Sequence, residues 1–172
     1  MKKKSFQYIL IMAIFVLILL IFILFLFRLF LDKELDDVSP GIECEKNLLE
    51  KSDILWIIPN FDNKSISDNL EWCNRVKSYN KTLGLHGVYH TYNEFSYERY
   101  SNYLKLGIDD FEKCFGEKPT IFKAPQLELS SDNMKLIEGK GLVVYGKINQ
   151  LFHKVYHCED TGRFSNKFID LF

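Results

Sequence analysis

Two histidines four residues apart, His86 and His90, and two adjacent aspartates, Asp36 and Asp37, are the residues of this chain best suited to chemistry. A carboxylate with two imidazoles is a common ligand set for a hydrolytic divalent metal that keeps open positions for water. Each half also has a plainer explanation. An Asp-Asp pair ahead of a helix often only complements the helix dipole. Imidazoles in H-x-x-x-H align only if the intervening residues form a helical turn. Gly87, directly after His86, permits such a tight turn. The presence of both halves together favours a metal site.

For these residues to meet, the segments between them must fold them together. Short apolar runs alternate with longer amphipathic ones in a β, α, β, α pattern. A first strand is expected to end near Leu35, followed by a helix capped by Ser39, with Pro40 at its first position, running through Leu48 and Leu49. Ile54 to Ile58 is the second strand, and Ser65 or Ser67 caps a helix carrying Leu70, Trp72, Cys73 and Val76. Thr82 to Leu85 is the third strand, followed by helices near Tyr97 to Leu106 and Asp109 to Phe115. Thr120 to Phe122 is the fourth strand, Ser131 caps a helix ending at Gly139 or Gly141, and Leu142 to Tyr145 and Val155 to Tyr156 are late strands. On this layout the chemically capable residues all follow strands: Asp36 and Asp37 the first, Asn60 and Asp62 the second, His86 and His90 the third, Lys123 to Gln126 the fourth. In a parallel α/β barrel those carboxyl ends share one face.

The run Tyr8 to Phe27 is uncharged and rich in Ile, Leu and Phe, long enough to cross roughly 30 Å of hydrocarbon. Bulky residues from Phe25 to Leu31 offer no small-residue cleavage site, which favours an anchor over a cleaved signal. Lys2, Lys3 and Lys4 precede the span and should keep the amino terminus in the cytoplasm, placing the rest outside or in a lumen. Residues 1–31 are therefore read as cytoplasmic lysines and signal anchor, and 32–172 as one domain. That domain holds 18 basic against 23 acidic residues, so it lacks the electrostatic footprint of a nucleic-acid binder. Cys44, Cys73, Cys114 and Cys158 include no C-x-x-C pair; disulfides or buried thiols are expected over metal ligation. Asn63-Lys64-Ser65 and Asn80-Lys81-Thr82 match the N-glycosylation pattern. Tyr89, Tyr92, Phe95, Tyr97 and Tyr100 are more readily read as packing than as a sugar-stacking surface. Trp56 and Trp72 are read as core.

Three strings bring a family into view: Leu35-Asp36-Asp37-Val38-Ser39-Pro40; Leu85-His86-Gly87-Val88-Tyr89-His90 with Glu94-Phe95; and Phe122-Lys123-Ala124-Pro125. In order and spacing they resemble successive motifs of the NodB-like polysaccharide deacetylases, closest to the branch called polysaccharide deacetylase family 2. The resemblance implies a distorted or incomplete (β/α) barrel of the polysaccharide deacetylase type, here preceded by one transmembrane helix. It implies that Asp37, His86 and His90 bind a divalent metal, zinc above all, with Asp36 as general base. It also implies a histidine acid near the carboxyl end: His157, with His153 behind it. Lys123, Pro125, Glu94 and Asn60 take supporting or substrate-binding places. The implied activity is hydrolysis of acetyl groups on a cell-surface polysaccharide or glycan. Many relatives carry an arginine where this chain has Lys123, a point charge in place of a planar fork. A catalytically weakened domain that binds glycan or metal without turnover is the alternative. Nothing in the sequence fixes an oligomeric state.

Overall fold

The computed structural model describes residues 2–172, with side chains from Phe6 onward; the side chains of Lys2, Lys3 and Lys4, on which the orientation argument rests, lie outside the described residues. Helix α1 (Lys2–Phe30) carries an apolar stretch, Phe6–Phe30, of 25 residues. At 1.5 Å per residue it measures about 37 Å, long enough to cross a bilayer. A short link leads from α1 directly into the first strand.

Six strands follow: β1 (Lys33–Val38), β2 (Ile54–Ile57), β3 (Thr82–His86), β4 (Ile121–Lys123), β5 (Val143–Tyr145) and β6 (Lys154–His157). They form one parallel sheet in the order β5-β4-β3-β2-β1-β6. The strands run in barrel order from β1 to β5, β6 returns to pair with β1, and β5 and β6 are left as the two edges. This is the incomplete (β/α) barrel expected from the sequence.

Side chains alternate across the sheet. Leu35, Leu55, Ile57, Leu85, Phe122 and Tyr156 join the main core, packed with residues of α2 (Lys46–Lys51), α3 (Leu70–Ser78), α4 (Ser101–Phe115) and α5 (Ser131–Glu138). On the other face Ile54, Trp56 and Ile121 make a second, small cluster closed by Tyr145. Gly84 is required there, because any β-carbon would collide with the indole of Trp56 and with Ile121. Trp56 and Trp72 are both buried.

Several local expectations are corrected. Ser39 and Pro40 open a turn, and the helix starts only at Lys46, with Glu45 as cap, where Leu48 and Leu49 first supply an apolar face. Ser65 caps a 3-10 turn and Asn69 caps α3. The two helices expected between Tyr97 and Phe115 are one, α4, which runs through Gly107. Ser130, rather than Ser131, caps α5. Two short helices had no counterpart in the sequence reading: α6 (Lys147–Phe152) and α7 (Asn166–Leu171).

The cysteines are paired, Cys44 with Cys158 and Cys73 with Cys114. The second bridge ties α3 to α4 under the main core. The first closes a loop of 114 residues in sequence separation, for which the chain-entropy account gives about 4–5 kcal/mol of stabilisation.

Candidate metal centre

Strand alternation alone would send Asp36 and Asp37 to opposite faces. Glu34 and Asp36 share the inner face, two residues apart. Asp37 is brought round by the backbone: its φ is +66°, and the register of β1 against β2 shifts between Leu35 and Val38. Such a bulge costs local pairing and re-aims a side chain. Both aspartates therefore lie near the end of β1 itself, not after it.

Asp37 Oδ1 lies 3.0 Å from His90 Nε2 and 3.5 Å from His86 Nε2. One ligand atom from each of the three residues falls within 4.8 Å of the others. Four ligands about 2.0–2.2 Å from a tetrahedral ion stand about 3.3–3.5 Å apart, so the spacing fits. The donor set fits too, since imidazole and carboxylate suit zinc and similar ions. His86 Nδ1 donates to the carbonyl of Lys123 (3.0 Å), which leaves Nε2 to face Asp37 and supplies the outer support that metal-binding histidines use. Burial alone would push the Asp37 carboxyl up, but hydrogen bonds from His86 and His90 outweigh it and hold it well below the usual carboxylate range. For His86, burial works downward, and the bond to Asp37 with the charges of Asp36 and Asp37 carries it up. An environment that favours positive charge between these groups also favours a cation.

His90 owes its position to Glu94. The loop after β3 turns at Gly87 (φ +65°) and again at His90 (φ +59°). The fully buried Glu94 carboxylate accepts from the backbone N–H of Val88, Tyr89 and His90 at 2.9–3.1 Å and from the Tyr103 hydroxyl at 2.6 Å. That bond, after burial itself, raises the Tyr103 phenol. A β-carbon on Gly87 would run into Glu94 and Pro125, so Pro125 packs the turn from the other side. Asn60 supports the same loop: its N–H donates to the Val88 carbonyl (2.9 Å) and its side chain donates to Asp110 (2.7 Å). Gly87→Ala should therefore cost about 1–3 kcal/mol and move His90 off the cluster. Thermal unfolding and metal affinity measured together would show both losses; an unaffected affinity would mean the turn does not place His90.

Below the cluster lies an ionic network that the sequence reading did not anticipate in full. Lys123 Nζ donates to Asp36 Oδ1 (2.8 Å) and to Glu34 Oε2 (2.9 Å), with all three side chains buried. Trp56 Nε1 donates to Glu34 Oε2 (2.7 Å), and His153 Nδ1 meets Glu34 Oε1 at 2.6 Å. Burial pushes Glu34 up, yet the His153 bond and the Lys123 charge bring it down to about 2. Lys123 is raised, because the Asp36 and Glu34 charges outweigh its own burial. Glu34 stands two residues before Asp36 in β1, and that spacing alone places it on the same face. His153 thus sits beneath the aspartate pair, bound to Glu34.

His157, opposite Asp36 in the β1–β6 register, places Nε2 3.6 Å from Asp36 Oδ2. Its Nδ1 is buried and makes no hydrogen bond. Thr161, for which the sequence holds no signal, donates to Asp37 Oδ2 (3.2 Å). Of the aromatic residues after His86, Phe95 is core, while Tyr92, Tyr97 and Tyr100 are exposed.

No family model and no curated protein matches the chain. Among solved structures, it is similar to a CE4 family pseudoenzyme from Bacillus anthracis at 14% identity and a TM-score of 0.47, over 54% of this chain and 32% of that one. It is similar to a polysaccharide deacetylase from Bacillus cereus at 17% identity and a TM-score of 0.43, over 54% and 45%. A family 4 carbohydrate esterase from Streptomyces lividans, in complex with acetate, matches at 10% identity and a TM-score of 0.46, over 65% and 58%. The chain spans about a third of the length of the pseudoenzyme.

Proposed function

We propose that this chain is a metal-dependent hydrolase of the polysaccharide deacetylase type, in the family 2 branch, that removes acetyl groups from a cell-surface glycan. Residues 1–31 form its cytoplasmic lysines and anchor, and residues 32–172 its deacetylase-like domain on the extracytoplasmic side. The observation that carries the reading is the convergence of Asp37, His86 and His90 into one ligand-sized cluster with Asp36 beside it. Paired cysteines agree with an exported domain in an oxidising compartment.

Asp37, His86 and His90 would hold a divalent metal, zinc by the donor set, which when bound would supply Lewis-acid activation of water and of the acetyl carbonyl. Asp36 is the general base: Lys123 holds Oδ1, so Oδ2 is the oxygen that takes the proton. His157, across from Asp36, is the acid that protonates the departing group. Glu34 holds Lys123, and Glu94 holds the His90 turn.

A second reading has its own support. His157 Nδ1 has no partner to fix the ring's tautomer, and a general acid works best when its ring is held. That favours a weakened relative that binds metal or glycan without turnover.

Elemental analysis of the purified full chain, set beside a His86→Ala, His90→Ala double variant, tests the site. About one divalent metal per chain, lost in the variant, is expected. Acetate release from acetylated sugars then separates the readings: turnover supports the hydrolase, metal without turnover the weakened relative, and no metal after supplementation overturns the hydrolase and leaves only a relative that works without metal.

A further inference from the structure

We propose that a groove between α1 and α7 binds an anionic membrane lipid, with Arg28 holding its phosphate. Arg28 stands near the outer end of the apolar helix yet is 7% exposed. One guanidinium nitrogen donates to the carbonyls of Leu151 (2.9 Å) and Gln150 (3.4 Å) at the end of α6. That much is an ordinary helix cap. It leaves the Nε donor buried without a partner, and Arg28 makes no ion pair among the described residues. A buried cation without an anion is costly, and a phosphate in the groove would answer its charge.

The groove beside it has a volume of about 460 Å³ and is walled by Leu24, Leu151, Phe164 and Phe168. Lys147 and Arg163 complete its charged lining, and no Asp or Glu side chain contributes to it. Arg163 makes no ion pair among the described residues, whereas Lys147 reaches Glu128 at 3.7 Å. The groove is continuous with α1, where Phe25 and Phe27 pack on Phe172 and Phe152. The apolar stretch, at about 37 Å, exceeds the hydrocarbon core by several ångströms, so these outer turns lie at headgroup depth. Apolar walls, cationic lining and that depth together fit an acyl chain with its phosphate. The inference rests on α1 lying in a bilayer and is independent of the hydrolase reading.

The test uses the full chain in neutral detergent, titrated with phosphatidylglycerol, phosphatidylcholine or inorganic phosphate, with bound molecules counted by native mass spectrometry. Phosphatidylglycerol is expected to be held at least about tenfold more tightly than phosphatidylcholine. Arg28→Gln should abolish that preference and Arg163→Gln reduce it. Because Arg28 also caps α6, the exposed Arg163 keeps the result independent of folding. Equal retention of the two lipids, or an unchanged preference in Arg163→Gln, overturns the site. Competition by inorganic phosphate at equal concentration overturns the lipid assignment. Release of the full chain from vesicles by alkaline carbonate overturns the membrane placement on which the lipid depends, while leaving the hydrolase reading standing.

Discussion

Lys123→Met should destabilise the protein by about 3–5 kcal/mol at pH 7, because it leaves two buried carboxylates without their cation. Glu34 and Asp36 both lose a hydrogen bond shorter than 3 Å. The pH dependence gives the sign. Glu34 has a folded pKa of about 2 against an ordinary 4.5, so it binds its proton less readily folded than unfolded. Its contribution of about 3 kcal/mol is complete above pH 4.5 and is lost as pH falls through 2. In the variant Glu34 keeps its bonds from Trp56 and His153 but loses the Lys123 charge, so it takes up its proton at higher pH. The gap between the two proteins should therefore narrow from pH 7 to pH 4. Denaturant unfolding at both values measures it; a variant as stable as the parent at pH 7, or a gap that widens in acid, would show that the network does not depend on Lys123.

Asp36→Asn should keep the metal and lower acetate release by about 10²–10⁴-fold. The amide still offers an oxygen to Lys123, so the network is preserved while the proton acceptor is gone. Asp37→Asn should instead lose the metal. Turnover retained in the Asp36 variant would sink the base assignment, and metal lost from it would make Asp36 a ligand.

The β/α alternation was legible because five strands are short apolar runs between amphipathic segments, and β2, β3, β4, β5 and β6 fall where those runs lie. The residues at strand ends were legible for the same reason. What could not be read was how Asp36 and Asp37 come to one place, since that depends on a bulge and a left-handed backbone at Asp37, a conformation aspartate adopts without announcing it. Nor could spacing choose among three cysteine pairings. Ser39-Pro40 misled because capping residues start a helix only where an apolar face follows, and here none comes before Leu48. Glu94 was named as a supporting residue, but its bonds to three successive backbone N–H groups exist only once the loop has closed around it.

The bridge from Cys44 to Cys158 has a consequence for how the molecule breathes. Strand β6 is an edge strand, paired only with β1, and edges are where sheets open first. Cys158 lies immediately after His157, and Cys44 lies in the loop that follows the aspartate pair. When β6 frays, its last residue stays tethered to the loop beside the strand it has left, so His157 can swing but not depart. A single protease cut anywhere between the two cysteines would likewise leave Asp36 and His157 on covalently joined fragments, and only thiol reduction would part them.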